Sequence, residues 1–195
     1  MGTPFALTIT SGQVGLAEVP AAGAPLDLTT VPCFCAQTTE ATLTPTANTT
    51  EVPATLCSPA ATKSVLSTWA LTFNSLQDWG RTDGEESLSE WLFEHDGGEA
   101  IAVLYLDDAT SVKAVVKVSV VAGQFGGPGG ETLLSTTSLP AIGTPDIYKD
   151  SGTILKHGAS GDTVPSIPLT ALTEMDCSGG VVADDASTEA DTYAV

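Results

Sequence analysis

The side chains that could do chemistry are few, and their spacing does not suit it. Histidine occurs only at His95 and His157, so most general-base and metal-ligand schemes lack a component. The four cysteines, Cys33, Cys35, Cys57 and Cys177, form no Cys-x-x-Cys knuckle and therefore no zinc ribbon. Cys33 and Cys35 are two apart, which in a strand points both thiols to one face. A reducing cytoplasm is expected to leave such thiols free, and a bond such as Cys57 with Cys177 would form only outside the cell. Ser178, in Asp176-Cys177-Ser178-Gly179-Gly180, has the small neighbours of a nucleophile loop, but no histidine stands in a matching context. Gly126-Gly127-Pro128-Gly129-Gly130 lacks the Lys-Ser/Thr of a phosphate-binding loop and reads as a turn. Asp83, Glu85 and Glu86 lack the alternating ligands of a calcium loop and suit a helix N-terminus instead. No catalytic residue, metal site or cofactor is expected, and the chain does not read as an enzyme.

Composition narrows the remaining functions. Of 195 residues, 24 are acidic and 6 basic, a formal charge of -18, with a pI near 4.1. Such a chain repels nucleic acid and anionic membranes. Apolar residues make up 42%, too many for wholesale disorder, while only 15% are charged. The surface must therefore be covered largely by Thr, Ser, Gly and Ala, a composition of sheets and turns. The first ten residues show neither a basic stretch nor a long apolar run, and the apolar run 100–106 is too short to cross a bilayer. The expectation is a protein made, and kept soluble, in a cytoplasm.

The elements that would position any site are mostly strands. Residues 14–19 and 31–43 are strand candidates. Residues 44–63, with Pro45, Pro53 and Pro59 amid Thr and Ala, read as a long loop or arm reaching outwards. In residues 65–73, Trp69, Leu71 and Phe73 share one face of a half-buried strand. Ser87-Leu88-Ser89-Glu90 has the capping-box pattern, and Leu88, Trp91 and Leu92 then share a helical face until Asp96-Gly97-Gly98. His95 should cap carbonyls at that helix end. Residues 101–106 are apolar on both faces, as in a strand covered on both sides. Residues 112–120 alternate, with Lys113, Val115, Lys117 and Ser119 on the more polar side, and residues 131–138 form a returning strand. From Gly161 onward there are seven acids and no basic residue, so residues 151–195 read as an acidic C-terminal extension to a domain of residues 1–150.

In order and spacing, residues 69–147 resemble the major tail proteins that build the tail tube of long-tailed, siphovirus-type phages, especially those of actinobacterial hosts. The pieces are Leu76-Gln77-Asp78-Trp79, Ser87-Leu88-Ser89-Glu90-Trp91-Leu92, Gly98-Glu99-Ala100-Ile101-Ala102-Val103, Gly123-Gln124-Phe125-Gly126-Gly127, Leu139-Pro140 and Gly143-Thr144-Pro145. The resemblance implies a mainly β fold, a β-sandwich or split barrel with one short flanking helix at about 87–95, a long loop and an extended C-terminal arm. It implies a structural virion protein that assembles with itself into hexameric rings stacked as a tube, the conduit for genome ejection. Other tail proteins (tape measure, tail terminator, tail tip) would be its partners, and DNA would pass without specific binding. Pro45, Asn48, Glu51, Pro53 and Lys63 are the candidate inter-ring contacts. Trp69, Leu71, Phe73, Leu88, Trp91 and Leu92 are the candidate packing residues around strand and helix.

Acidity fits such a conduit, since each exposed Lys or Arg would add a phosphate contact; solubility alone is the competing account. A capsid decoration or head–tail joining protein would share the composition. An Ig-like adhesion or binding module would place aromatics on exposed loops, whereas Trp69, Trp79 and Trp91 occupy positions that read as core.

Overall fold

A five-stranded sheet buried on both faces organises the chain. The computed structural model describes residues 13–21, 24–34, 37–55, 57–80, 87–107, 112–129, 133–149, 153–155 and 167–171. The central sheet is antiparallel and is built from β1 (Gln13–Glu18), β5 (Glu99–Asp107), β6 (Val112–Ser119), β8 (Asp146–Lys149) and β9 (Thr153–Leu155), in that spatial order. A second antiparallel sheet has the order β3 (Thr38–Val52), β4 (Ala61–Leu76), β7 (Leu134–Pro140). A short parallel pair joins β2 (Leu26–Asp27) to β10 (Leu169–Ala171). Among the described residues there is one α-helix, α1 (Leu88–Glu94). The fold is thus mainly β, two antiparallel sheets with a single short helix, as expected from the sequence.

Strand alternation divides the apolar residues between two cores. One face of β5 and β6 contributes Ala100, Ala102, Leu104, Val116 and Val118, packed against Leu71 and Phe73 of β4, Leu139 of β7, and Leu88, Trp91 and Leu92 of the helix. The opposite face contributes Ile101, Val103, Tyr105, Val115 and, from β8, Tyr148, covered by Leu26, Leu28, Val31 and Ile167. This is why residues 101–106 are apolar without interruption.

The second core corrects the reading of 112–120. Lys113 is fully buried on the side taken as polar. The segments around Leu28 and Ile167 lie over that face. The ammonium lies 4.7 Å from the centroid of the Tyr105 ring and donates to the Tyr105 hydroxyl at 3.4 Å. Tyr148 donates to the Ile167 carbonyl at 2.7 Å, and the Ile167 amide donates to Asp146 Oδ2 at 3.2 Å, which ties the later chain to β8.

Helix α1 begins at Ser87, whose Oγ accepts from the Glu90 amide at 3.3 Å and donates to the Asp78 carbonyl. Only half of the capping box forms, because the Glu90 carboxylate accepts from the Gly80 amide at 2.6 Å. His95 does cap the helix end. Its Nδ1 lies 2.8 Å from the Trp91 carbonyl and its ring stacks on Trp91 at 4.2 Å. Gly97 then turns the chain at φ 76°, a conformation glycine adopts without a Cβ clash.

One cysteine also differs from the expectation of free thiols. Cys33 is disulfide-bonded, whereas Cys57 is an exposed free thiol and so takes no part in a bond with Cys177. The acids at 83–86, His157 and Ser178 lie outside the described residues.

Phe73 is almost wholly enclosed. Phe73→Ala should lower unfolding free energy by about 3–5 kcal/mol in denaturant titration. Burial, with the nearby Asp146 carboxylate, pushes the Tyr148 hydroxyl from its ordinary 10.0 up to about 12. The folded state therefore holds this proton more tightly than the unfolded chain. The stabilisation is complete below pH 10 and falls as the pH rises towards 12. Melting curves recorded across that window should show a smaller decline for Tyr148→Phe than for the parent.

Candidate assembly surface

Residues 44–63, expected as a loop, are mostly strand. β3 and β4 pair from Thr38–Ser75 out to Val52–Ala61, so the two strands form one long hairpin. β7 accompanies β4 only from Ala70 to Leu76. Beyond Trp69 the hairpin is a two-stranded arm with no third strand among the described residues, and all but Asn48 and Ser67 of its described residues are exposed. Threonine-rich alternation favours extended backbone here, and Pro45 is tolerated because β3 is an edge strand. A reading that looks for apolar alternation sees no strand where neither face meets a core.

The arm has one irregularity. Between the pairs Thr46–Thr68 and Asn48–Val65, β4 carries one residue more than β3, a bulge that leaves Leu66 73% exposed. Directly opposed residues share a face. Val52, Ala61, Lys63 and Val65 therefore lie together on the outer part of the arm. An open cleft of about 940 Å³ lies between this region and Thr144, lined also by Trp69.

The candidate contact residues are distributed along this hairpin. Pro45 pairs with Trp69 at the arm's root, Asn48 with Val65, Glu51 with Thr62 and Thr50 with Lys63, while Pro53 begins the connection at the tip. Asn48 also donates to the Leu66 carbonyl at 3.1 Å, which braces the bulge. Of the candidate packing residues, Leu71, Phe73, Leu88, Trp91 and Leu92 are buried, and Trp69, at the arm's root, is only half-buried.

The sheet's outward face is lined with hydroxyls and amides. Thr136 donates to Asn74 Oδ1 at 2.7 Å, and Asn74 donates to Glu40 Oε2 at 3.1 Å, a row across all three strands. Thr72 and Ser138 form a second link at 3.2 Å. Glu40 is the carboxylate of this face, and no Lys or Arg interrupts it between residues 40 and 46, 68 and 76, or 134 and 140.

At the opposite end of β4 lies an aromatic group that the sequence reading missed. Trp79 makes edge contacts with Phe93 at 6.2 Å and with Phe125 at 5.0 Å between ring centroids. Phe93 is 67% and Phe125 79% exposed. Phe93 follows Leu92 on the helix, so it points away from the core face. Its exposure was legible from that helical period, but Phe125, in the glycine-rich connection, is brought there only by tertiary structure. Gln77 fixes the connection by accepting from the Gly126 amide at 2.8 Å and donating to its carbonyl at 3.0 Å.

No family model matches the chain. No curated protein sequence matches it either. Among solved structures, it is similar to the sheath/tube terminator of an extracellular contractile injection system in the extended state. That likeness has a TM-score of 0.44 and 10% identity, and covers 75% of this chain and 99% of that chain.

Leu66 is largely exposed at the bulge. Leu66→Ser should therefore leave the unfolding free energy within about 0.5 kcal/mol of the parent. A loss of several kcal/mol in the same titration would mean that the arm is folded back onto the body.

Proposed function

We propose that this protein is a structural component of a virion tail that polymerises with itself, its three-stranded sheets joining side by side into rings that stack as a tail tube. The observation that carries the reading is the two-stranded arm with open edges. An isolated hairpin is marginal in water, and a long unpaired edge is a hazard for a protein meant to remain alone. β3 and β7 bound the same sheet on opposite sides. The β3 edge of one copy could therefore pair with the β7 edge of another, and the contact would repeat until a ring closed. The order of motifs across residues 69–147 supports the same reading, with hexameric rings and tape measure, terminator and tip proteins as the assembly's other parts.

In such a ring the outward face of the sheet, bearing Glu40, Thr42, Asn74, Thr136 and Ser138, would line the bore. DNA would then slide along hydroxyls and amides, with repulsion from Glu40 and from the chain's overall charge, and with no cation on the three-stranded part of this face; Lys63 stands on the same face only further out, on the arm. This assigns low friction chiefly to neutral polar groups rather than to a dense wall of carboxylates. Assembly would take place in a host cytoplasm and the product would reside in the virion.

Concentrated protein viewed by negative-stain electron microscopy, with mass followed by light scattering, should give rings or hollow tubes. Uniform small particles at every concentration would sink the polymerisation reading. A capsid-binding assay would then test a decoration or head–tail joining role.

A further inference from the structure

Building on that reading, we infer that the aromatic cluster of Trp79, Phe93 and Phe125 is a socket for the β3–β4 arm of a second copy of this chain. Each surface carries exposed apolar side chains, Phe93 and Phe125 at one and Val52, Val65 and Leu66 at the other, and they lie at opposite ends of one strand. From Val65 to Trp79 the chain runs fourteen residues, on the order of 40 Å at ~3.3 Å per strand residue. No arm can reach its own socket across that span. A contact between the two is therefore heterologous, head to tail, and with ring closure already supplied by the sheet edges it would run from ring to ring.

Charge selects the same pairing. The arm's apolar face carries Lys63, an exposed cation with no ion-pair partner among the described residues. Beside the socket, Glu94 follows Phe93 on the helix and is exposed. The three other lysines whose side chains are described are placed elsewhere. Lys113 is buried, Lys117 pairs with Glu99, and Lys149 ends β8. Lys63 is thus the cation that the arm can present to Glu94, whose charge disfavours the acidic surfaces of other copies.

Area sets how strong one such contact is. An aromatic side chain buries roughly 150–250 Å². A socket of two exposed phenylalanines and part of a tryptophan therefore offers a few hundred Å², below the ~800 Å² per partner of a stable pairwise complex. One arm in one socket does not hold two copies together. The same contact repeated around a ring does, so stacking begins only after rings have formed.

The test uses the full-length protein and follows assembly by light scattering and electron microscopy. Lys63→Glu and Glu94→Lys should each raise the concentration needed for tubes at least about tenfold, and combining both in one chain should restore assembly towards the parent. Phe93→Ser and Phe125→Ser should raise it without rescue by either charge change. All of these sites are exposed, and thermal melts confirm that each variant is folded. If the parent forms tubes and all the variants do so equally well, or if the double charge variant is no better than the singles, the socket is wrong and the tube reading stands. A parent protein that stays monomeric at every concentration overturns both.

Discussion

The rest of the structure depends on covering a five-stranded sheet on both sides. β5 and β6 carry apolar residues on alternating faces, and leaving either face in water would expose Ile101, Val103 and Val115 or Ala102, Val116 and Val118. One covering layer is the three-stranded sheet with the helix, and the other is assembled from irregular segments. This arrangement also explains the buried polar groups. With both faces closed, Lys113 has no route to water and lies against the Tyr105 ring and hydroxyl, while Asp146 and Tyr148 engage the backbone of Ile167.

Once the body is closed, what remains outside it becomes informative. The arm extends the β3–β4 ladder past the point where β7 and the core stop, and its threonines keep it extended and soluble without making it self-sufficient. At the other end, the helix buries Leu88, Trp91 and Leu92 while turning Phe93 outward beside Trp79 and Phe125. A core-forming element and an exposed one therefore share the same short stretch of chain. The body sets the spacing of these two surfaces.

Much of the body was legible in the sequence because period and burial coincide there. Trp69, Leu71 and Phe73 alternate, Leu88, Trp91 and Leu92 recur at helical spacing, and residues 101–106 are apolar throughout. Where burial and period part company, the reading failed. Residues 44–52 form a strand with no buried face, so polarity disguised it as a loop. Lys113 occupies a core position with a charge, and the segments that cover it, around Leu28 and Ile167, are about 140 residues apart in the chain. Phe125 stands in a turn whose neighbours are fixed by Gln77, a contact across 49 residues. In each case the deciding partner is distant, and local pattern carries no signal of it.

The parallel pairing of β10 with β2 has a consequence for the order of events in the cell. Ile167 and Leu169 complete the second core against residues 26–31 near the other end of the chain. During synthesis the first core can close once β7 has emerged, but the second lacks Ile167 and Leu169 until residues 167–171 have been made. Long loop closures of this kind are slow compared with hairpin formation. The protein thus completes last the face away from its helix, where residues 26–31 wait for Ile167 and Leu169.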